Sequence, residues 1–189
     1  MDSQIKGNVI LGSYQHVEKL SGIKTRIDID IMPGNMGGFW PRCGITADYC
    51  AQYLSLSRPD LKKGKNTLSF VLNELLENAV KYTVNQGFNL AVMLVEYEDQ
   101  ILFEVSNFIN EELYGAFKEY IEKFIMTNNT NEKYLDLLKT EEIDSKTSMI
   151  GLLTLIDCFN PKIGFEFERT QESGIFRVRV QVILKSTEI

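Results

Sequence analysis

Histidine and cysteine are scarce in this chain, and that scarcity excludes several kinds of chemistry. His16 is the only histidine, and the three cysteines, Cys43, Cys50 and Cys158, have no CxxC spacing. A histidine-based triad and histidine autophosphorylation are therefore not expected, and a zinc site would need more ligands. Isolated cysteines of this kind are typical of small core side chains in a reducing cytoplasm, where we expect the protein to act.

Long apolar runs and basic clusters are also missing. No stretch approaches the roughly 18 apolar residues that span a bilayer, and the start, MDSQIKGN, is not typical of a signal peptide. The net charge of −6 and the pI of about 5.0 argue against binding by phosphate neutralisation. We therefore expect neither a membrane nor a nucleic acid as partner. A hydrophobic fraction of 44% in 189 residues is enough for one cored domain.

The order of predicted elements indicates an α+β fold. Residues 1–22 are turn-rich and are predicted to form an N-terminal arm or an extra strand, and residues 23–189 a single domain. Helices on one face of a mixed, mainly antiparallel sheet, a two-layer sandwich, would accommodate this order. The predicted strands are 23–32, 89–97, 101–107, 163–169 and 175–184, and the predicted helices are 44–57, 66–83, 110–126, 132–140 and 149–159.

Apolar spacing predicts which side of each element is buried. In the helix 44–57 the predicted apolar face consists of Ile45, Tyr49, Tyr53 and Leu56. Residues 61–65 are interpreted as a short basic connector. In the last strand Arg177 and Arg179 alternate with apolar residues, so we expect them to face solvent or to form a partner patch.

The helix that starts near Asn66 organises the rest of the chain. A second, polar stripe, Glu74, Asn78 and Lys81, lies about a third of a turn from the apolar one. On spacing alone, a solvated flank is the simpler interpretation. A flank beside a buried face can instead line a cleft at the edge of the core. The apolar stripe itself is Leu68, Leu72, Leu75, Ala79 and Tyr82.

The string from Glu74 to Tyr82 resembles the N-box of the GHKL ATPases, which include histidine kinases, gyrase and the anti-sigma-factor serine kinases. The resemblance implies the GHKL, or Bergerat-type, fold with ATP and Mg²⁺ as cofactors. Asn78 would then be the Mg²⁺ ligand, and Glu74 would polarise a water or hydroxyl. Lys81 would meet phosphate charge, and Tyr82 would wall the site.

The same resemblance places two further parts of the site, and both depart from the family pattern. Asn107, at the predicted strand end, stands where an Asp normally takes the adenine amino group, although it could equally be a turn or capping residue. Ser148, Gly151 and Leu152 lie where backbone amides cradle phosphates. Met149 replaces a lid glycine, and the polar run 128–148 fits a lid or a solvated loop equally well.

The pattern is similar to the SiaB family of bacterial serine/threonine kinases over roughly residues 23–184. That implies signal transduction by partner switching. The kinase phosphorylates a small regulatory protein, its antagonist, and a PP2C-type phosphatase reverses the modification. A homodimer is a further arrangement that we consider. The alternative is a catalytically degenerate binding module of the same fold, which sequesters a regulatory partner without phosphoryl transfer.

Overall fold

The computed structural model describes residues 8–32, 39–57, 61–84, 88–126 and 150–189. Three predictions lie outside the described residues: the helix 132–140, the polar run 128–148 with Ser148, and Met149.

One antiparallel sheet carries the described strands, in the order β1-β5-β6-β4-β3-β2. All five pairings between neighbours are antiparallel. Apolar residues alternate with polar ones along most strands, so one face of the sheet is apolar and must be buried against another layer. The strands are β1 Val9–Gly12, β2 Thr25–Ile31, β3 Leu90–Glu96, β4 Gln100–Asn110, β5 Lys162–Arg169 and β6 Ile175–Lys185.

The helices pack on that apolar face and complete the hydrophobic core. The α2 stripe predicted from its spacing is buried throughout, from Leu68 to Tyr82, and packs with the inward residues of the sheet. This confirms the two-layer α+β sandwich with helices on one face of an antiparallel sheet. The described helices are α1 Phe39–Ser57, α2 Leu61–Tyr82, α3 Glu111–Tyr120 and α4 Ile150–Phe159, and a π-helical turn at Ile121–Ile125 follows α3.

Helix α1 is longer than predicted, and it buries a different face from the one predicted. It begins at Phe39, and Pro41 lies in its first turn, where a missing N–H costs nothing. The predicted apolar face, Ile45, Tyr49, Tyr53 and Leu56, is exposed. The buried face is instead a set of mostly small residues that let α1 approach α2 closely: Cys43, Ala47, Cys50, Ala51 and Leu54.

Two leucines of α1 test this rotation. Leu54 is 0% exposed and Leu56 is 70% exposed. We expect Leu54→Ala to lower the free energy of unfolding by about 2–5 kcal/mol, because it leaves a cavity in the core. Leu56→Ala, the same chemical change at a solvated position, should cost less than about 0.5 kcal/mol. Urea unfolding followed by circular dichroism measures both, and equal costs would contradict the observed helix orientation.

Helix α2 begins five residues before the predicted start, at Leu61, so residues 61–65 are helical and not a connector. This first part of α2 contains Gly64, and its surroundings show why a glycine is needed within the helix. A Cβ at Gly64 would collide with Ile189, which packs over this turn of the helix, and would lie 2.9 Å from its backbone carbonyl carbon. The glycine thus serves a close contact that no local pattern reveals.

Strand β4 runs three residues past its predicted end at Asn107. Its partner β6 is equally long, and the ladder pairs Gln100–Asn110 with Ile175–Lys185 without a break. Asn107 is therefore a mid-strand residue and neither a turn residue nor a cap. Asn110 does cap the next helix, since its side chain accepts a hydrogen bond from the Leu113 amide. Helix α4 ends as predicted, at Phe159, and Asn160 directly after it has a φ of 43°.

Candidate functional site

The polar flank of α2 faces the start of α4. Gly151, in the first turn of α4, lies directly against the Glu74 carboxylate. A Cβ at Gly151 would overlap Glu74 Oε2, and it would come within 3.4 Å of Asn78 Nδ2. Only a residue without a side chain fits in this position with the two polar groups in place. The structure therefore brings Gly151 together with Asn78 and Glu74, which lie 73 and 77 positions earlier in the sequence.

The Glu74 carboxyl has an unusual electrostatic environment. Burial raises its pKa, and the nearby Glu77 charge raises it further. In the described part of the chain no ion pair compensates its charge. Glu77 itself accepts a hydrogen bond from Asn73 Nδ2 at 2.6 Å, one turn away. A carboxylate with a raised pKa is a better proton acceptor near neutral pH than an ordinary surface glutamate.

Asn78 carries a polar atom that is buried without a partner. Its Nδ2 finds no hydrogen-bond acceptor among the described residues. An amide nitrogen in that state costs about 1–3 kcal/mol, so such groups are rare unless they serve a purpose. The oxygen and nitrogen of an Asn side chain are assigned by their surroundings, and either atom can face the Gly151 side. A ligand at this point would find a carboxamide free to bind it.

Asn107 connects the sheet to α2. It is 5% exposed, and its Nδ2 donates a hydrogen bond of 3.1 Å to the Ala79 carbonyl oxygen. This contact fixes the side chain and leaves the Oδ1 atom as the acceptor. Asn107 thus links the middle of β4 to α2.

A small cavity joins these residues. Asn78, Tyr82, Asn107 and Leu152 line it together with apolar side chains of α2, β4 and α3. Its volume of about 20 Å³ has room for one water molecule, whereas pockets for drug-sized ligands usually measure 300–1,000 Å³. Tyr82 is buried in its wall, and burial raises its pKa to about 12. In this arrangement α4 closes the cleft against α2.

One predicted site residue within the described regions, Lys81, is not part of this cluster. The Lys81 side chain is exposed, and its Nζ lies 5.2 Å from the centroid of the Tyr82 ring, on the outside of α2. Ser148 lies outside the described residues. Within those residues, moreover, no three His, Cys, Asp or Glu side chains converge as metal ligands do.

The sequence identified the apolar stripe on α1 but did not reveal that it is exposed. Ile45, Tyr49, Tyr53 and Leu56 follow one another along the helix, and Tyr49 and Tyr53 have ring centroids 6.4 Å apart. Contiguous exposed apolar side chains mark interaction surfaces more often than isolated ones do. The helical spacing of the mostly small residues from Cys43 to Leu54 could have predicted the buried face of α1. A prediction from hydrophobicity instead favours the face with the larger apolar side chains.

None of the helices in the described regions combines the length and the apolar character that crossing a bilayer requires.

Comparison with solved structures finds a similarity to a chain in the crystal structure of the SiaB–SiaC complex from Pseudomonas aeruginosa. The TM-score is 0.55 at 10% sequence identity, over 86% of this chain and 91% of that one. No protein-family model matches the sequence, and no curated protein matches it. At this identity the similarity concerns the fold, so the chain shares its fold with a chain of that complex.

Proposed function

We propose that this chain is an ATP-binding regulator of a partner-switching circuit in the cytoplasm, and that it acts as a serine/threonine kinase on a small antagonist protein. The observation that carries this proposal is the meeting of Glu74 and Asn78 with Gly151, together with the hydrogen bond that joins Asn107 to the same helix α2. These are residues that the GHKL resemblance assigns to the nucleotide site. The shared fold with a chain of the SiaB–SiaC complex supports the regulatory role.

The chemistry of the residues fits Mg²⁺-bound ATP. Asn78 would hold the metal through its carboxamide oxygen, because Mg²⁺ prefers oxygen ligands. Asn107 Oδ1 would accept from the adenine amino group, and the amides of Gly151 and Leu152, with Ser148 before them, would face the phosphates. ATP would supply the phosphoryl group. Glu74 would take the proton from the hydroxyl of the acceptor, which its raised pKa favours.

The closed cleft sets a condition on this function. A volume of about 20 Å³ does not admit a nucleotide, and we propose that the first turn of α4 separates from α2 when one enters. Gly151 and Glu74 form the contact that opens. The partner-bound and nucleotide-bound states would differ at this contact, and that difference is what a switch requires.

The α1 stripe is the surface we propose for the protein partner. It belongs to the same helical layer as the site, since α1 packs along α2 and Gly44 lies beside Asn73. Its exposed tyrosines are the side chains that commonly anchor protein interfaces. A PP2C-type phosphatase that reverses the modification, and a homodimer, belong to the same proposal.

One observation favours the alternative, a binding module without phosphoryl transfer. The cleft is closed by direct contact between Glu74 and Gly151, and a protein that never binds nucleotide would need no other state. In that case the α1 stripe alone would carry the function, through sequestration of the partner.

Titration calorimetry with Mg²⁺-ATP separates the two functions. We expect the wild type to bind, and Asn78→Ala to weaken binding at least ~10-fold through loss of an interaction with a charged group. Asn73→Ala is the matched control, because it removes the same side chain from the same helix at a position bonded to Glu77. It should bind like the wild type. An absence of heat at millimolar ATP would rule out the nucleotide site and leave the binding module.

A further inference from the structure

A strap of residues 13–20 crosses the face of the sheet that the helices leave open. Its backbone passes directly over Gly164 of β5. The Gln181 side-chain amide holds the strap by two hydrogen bonds to the backbone of Gln15. The Gln15 N–H donates to Gln181 Oε1 at 2.9 Å, and Gln181 Nε2 donates to the Gln15 carbonyl oxygen at 2.8 Å. Val17 then packs on a small second apolar cluster with Val95 and Leu102. The strap covers one half of the open face and forms a wall for the other half.

The uncovered half is a groove of about 740 Å³, a volume typical of small-molecule sites. Strand register explains its depth. One row across the sheet pairs Asp30 with Ala91, Ala91 with Ser106, and Ser106 with Arg179. The two middle residues are small, so the floor sinks between longer side chains on either side.

The cations around the groove are already paired. Arg26 donates to Asp28 at 2.7 and 2.9 Å. Arg179 binds Glu166 and, at 3.0 Å, Glu168, and Arg177 lies 3.7 Å from the same Glu168. The groove therefore offers no cation of its own to a ligand.

Glu104, in contrast, has a carboxylate oxygen to spare. Tyr14 Oη at 3.1 Å and Gln181 Nε2 at 2.6 Å both donate to its Oε2, and both are neutral donors. Within the described residues no donor reaches Oε1, and neither Glu104 nor Asp30 has an ion-pair partner. Burial raises the pKa of Glu104, while the hydrogen bonds from Gln181 and Tyr14 and the Arg179 charge act in the opposite direction.

Ser106 points to a ligand independently. It is 8% exposed and lies in the floor of the groove, two residues along β4 from Glu104. Its hydroxyl forms no hydrogen bond to any described residue. The hydroxyl oxygen itself is not shut off from the groove, so a partner for this mostly buried side chain would come from that space.

Aromatic rings close the far end. Phe88 and Phe108 are stacked with their centroids 4.3 Å apart, and both line the groove. The Arg177 guanidinium lies over the Phe108 ring, 5.1 Å from its centroid, so this ring already packs with one cation. Apolar rings beside carboxylates that have no ion-pair partner suit a ligand that combines a cationic head with a short carbon chain.

We propose that this groove binds a small organic cation, an amine or a guanidine. The cationic head would meet Glu104 Oε1 and the Ser106 hydroxyl, Asp30 would add charge at the rim, and the carbon chain would run towards Phe88 and Phe108. The site lies on the opposite face of the sheet from α2 and α4, and it does not depend on nucleotide binding.

Calorimetry with agmatine, putrescine and spermidine, at physiological salt, tests this proposal. We expect at least one of these probes to bind with a Kd in the millimolar range or below, and succinate, an anion of similar length, not to bind. Glu104→Gln should weaken binding at least ~10-fold, because it removes the charge while keeping an oxygen for Tyr14 and Gln181. Ser106→Val should do the same by filling the floor, and it keeps the test available if the first variant does not fold.

Glu98→Gln is the matched control. Glu98 is an exposed carboxylate at the turn before β4, paired with Lys24, and its loss changes the net charge equally. Binding should be unchanged in this variant. The proposal is overturned if no probe binds at millimolar concentration, or if Glu98→Gln weakens binding as much as Glu104→Gln, since the attraction would then be general surface charge.

Discussion

The Glu74→Gln variant is expected to form ADP from Mg²⁺-ATP at least ~100-fold more slowly than the wild type, while still binding the nucleotide. Glutamine has nearly the same shape, so the contact with Gly151 is kept, but it cannot take a proton. ADP formation counts transfer to a protein hydroxyl and transfer to water alike, so the assay works before a partner is identified. Calorimetry on the same variant shows whether binding persists.

Glu77→Gln provides the control for this prediction. Glu77 is the next carboxylate on the helix, it contacts Asn73 and not Gly151, and most of the rate should survive its loss. The ADP-forming rate should rise with pH as Glu74 loses its proton. Because the Glu77 charge helps to raise the pKa of Glu74, this rise should move to lower pH in Glu77→Gln. Equal losses in both variants would make Glu74 structural, and a wild type that binds ATP but forms no ADP would favour the binding module.

Gly164→Ala is expected to lower the free energy of unfolding by at least ~2 kcal/mol, a large effect for a single methyl group. The added Cβ would overlap the backbone nitrogen and Cα of Tyr14, and a backbone cannot rotate away as a side chain can. The strap would have to lift, and the hydrogen bonds of Gln15 to Gln181 and of Tyr14 to Glu104 would be lost with it. Urea unfolding followed by circular dichroism measures the change.

Gly115→Ala is the opposite case in the same chain. Gly115 lies in α3, and nothing lies within 4 Å of the position its Cβ would take. The substitution should therefore stabilise the protein by about 0.5–1 kcal/mol, through helix propensity and a more restricted unfolded chain. A Gly164→Ala variant as stable as the wild type would show that the strap does not pack on β5.

The sequence predicted the parts of this fold that depend on local periodicity. The stripe from Leu68 to Tyr82 is buried as its spacing indicated, and the same helix carries Glu74 and Asn78 on the adjoining flank. The strand predicted at residues 23–32 is present as Thr25–Ile31, and its Ile31 is buried. Periodicity was sufficient here because each residue is a large apolar one or clearly polar, so the buried face of the element is unambiguous.

Contacts between distant parts of the chain could not be predicted in this way. Asn107 lies within its strand, because β4 is extended by a partner almost 70 residues further along the sequence. Small residues at Cys43 and Ala47 gave α1 its buried face, since close packing of two helices selects for size and not for hydrophobicity alone. The position of the strap over Gly164 depends on a contact about 150 residues apart.

Successive side chains of strand β4 point to opposite faces of the sheet and line two different spaces. Glu104 and Ser106 belong to the groove, while Val105 and Asn107 line the cavity beneath α2. Because side chains alternate strictly, adding or removing one residue inside β4 would turn the groove residues into the core and the core residues outwards. Changes of length in this part of the gene are therefore confined to pairs of residues or to the turn at Glu98 and Asp99. Residues on the two faces can be substituted independently, but both faces depend on the same register of β4.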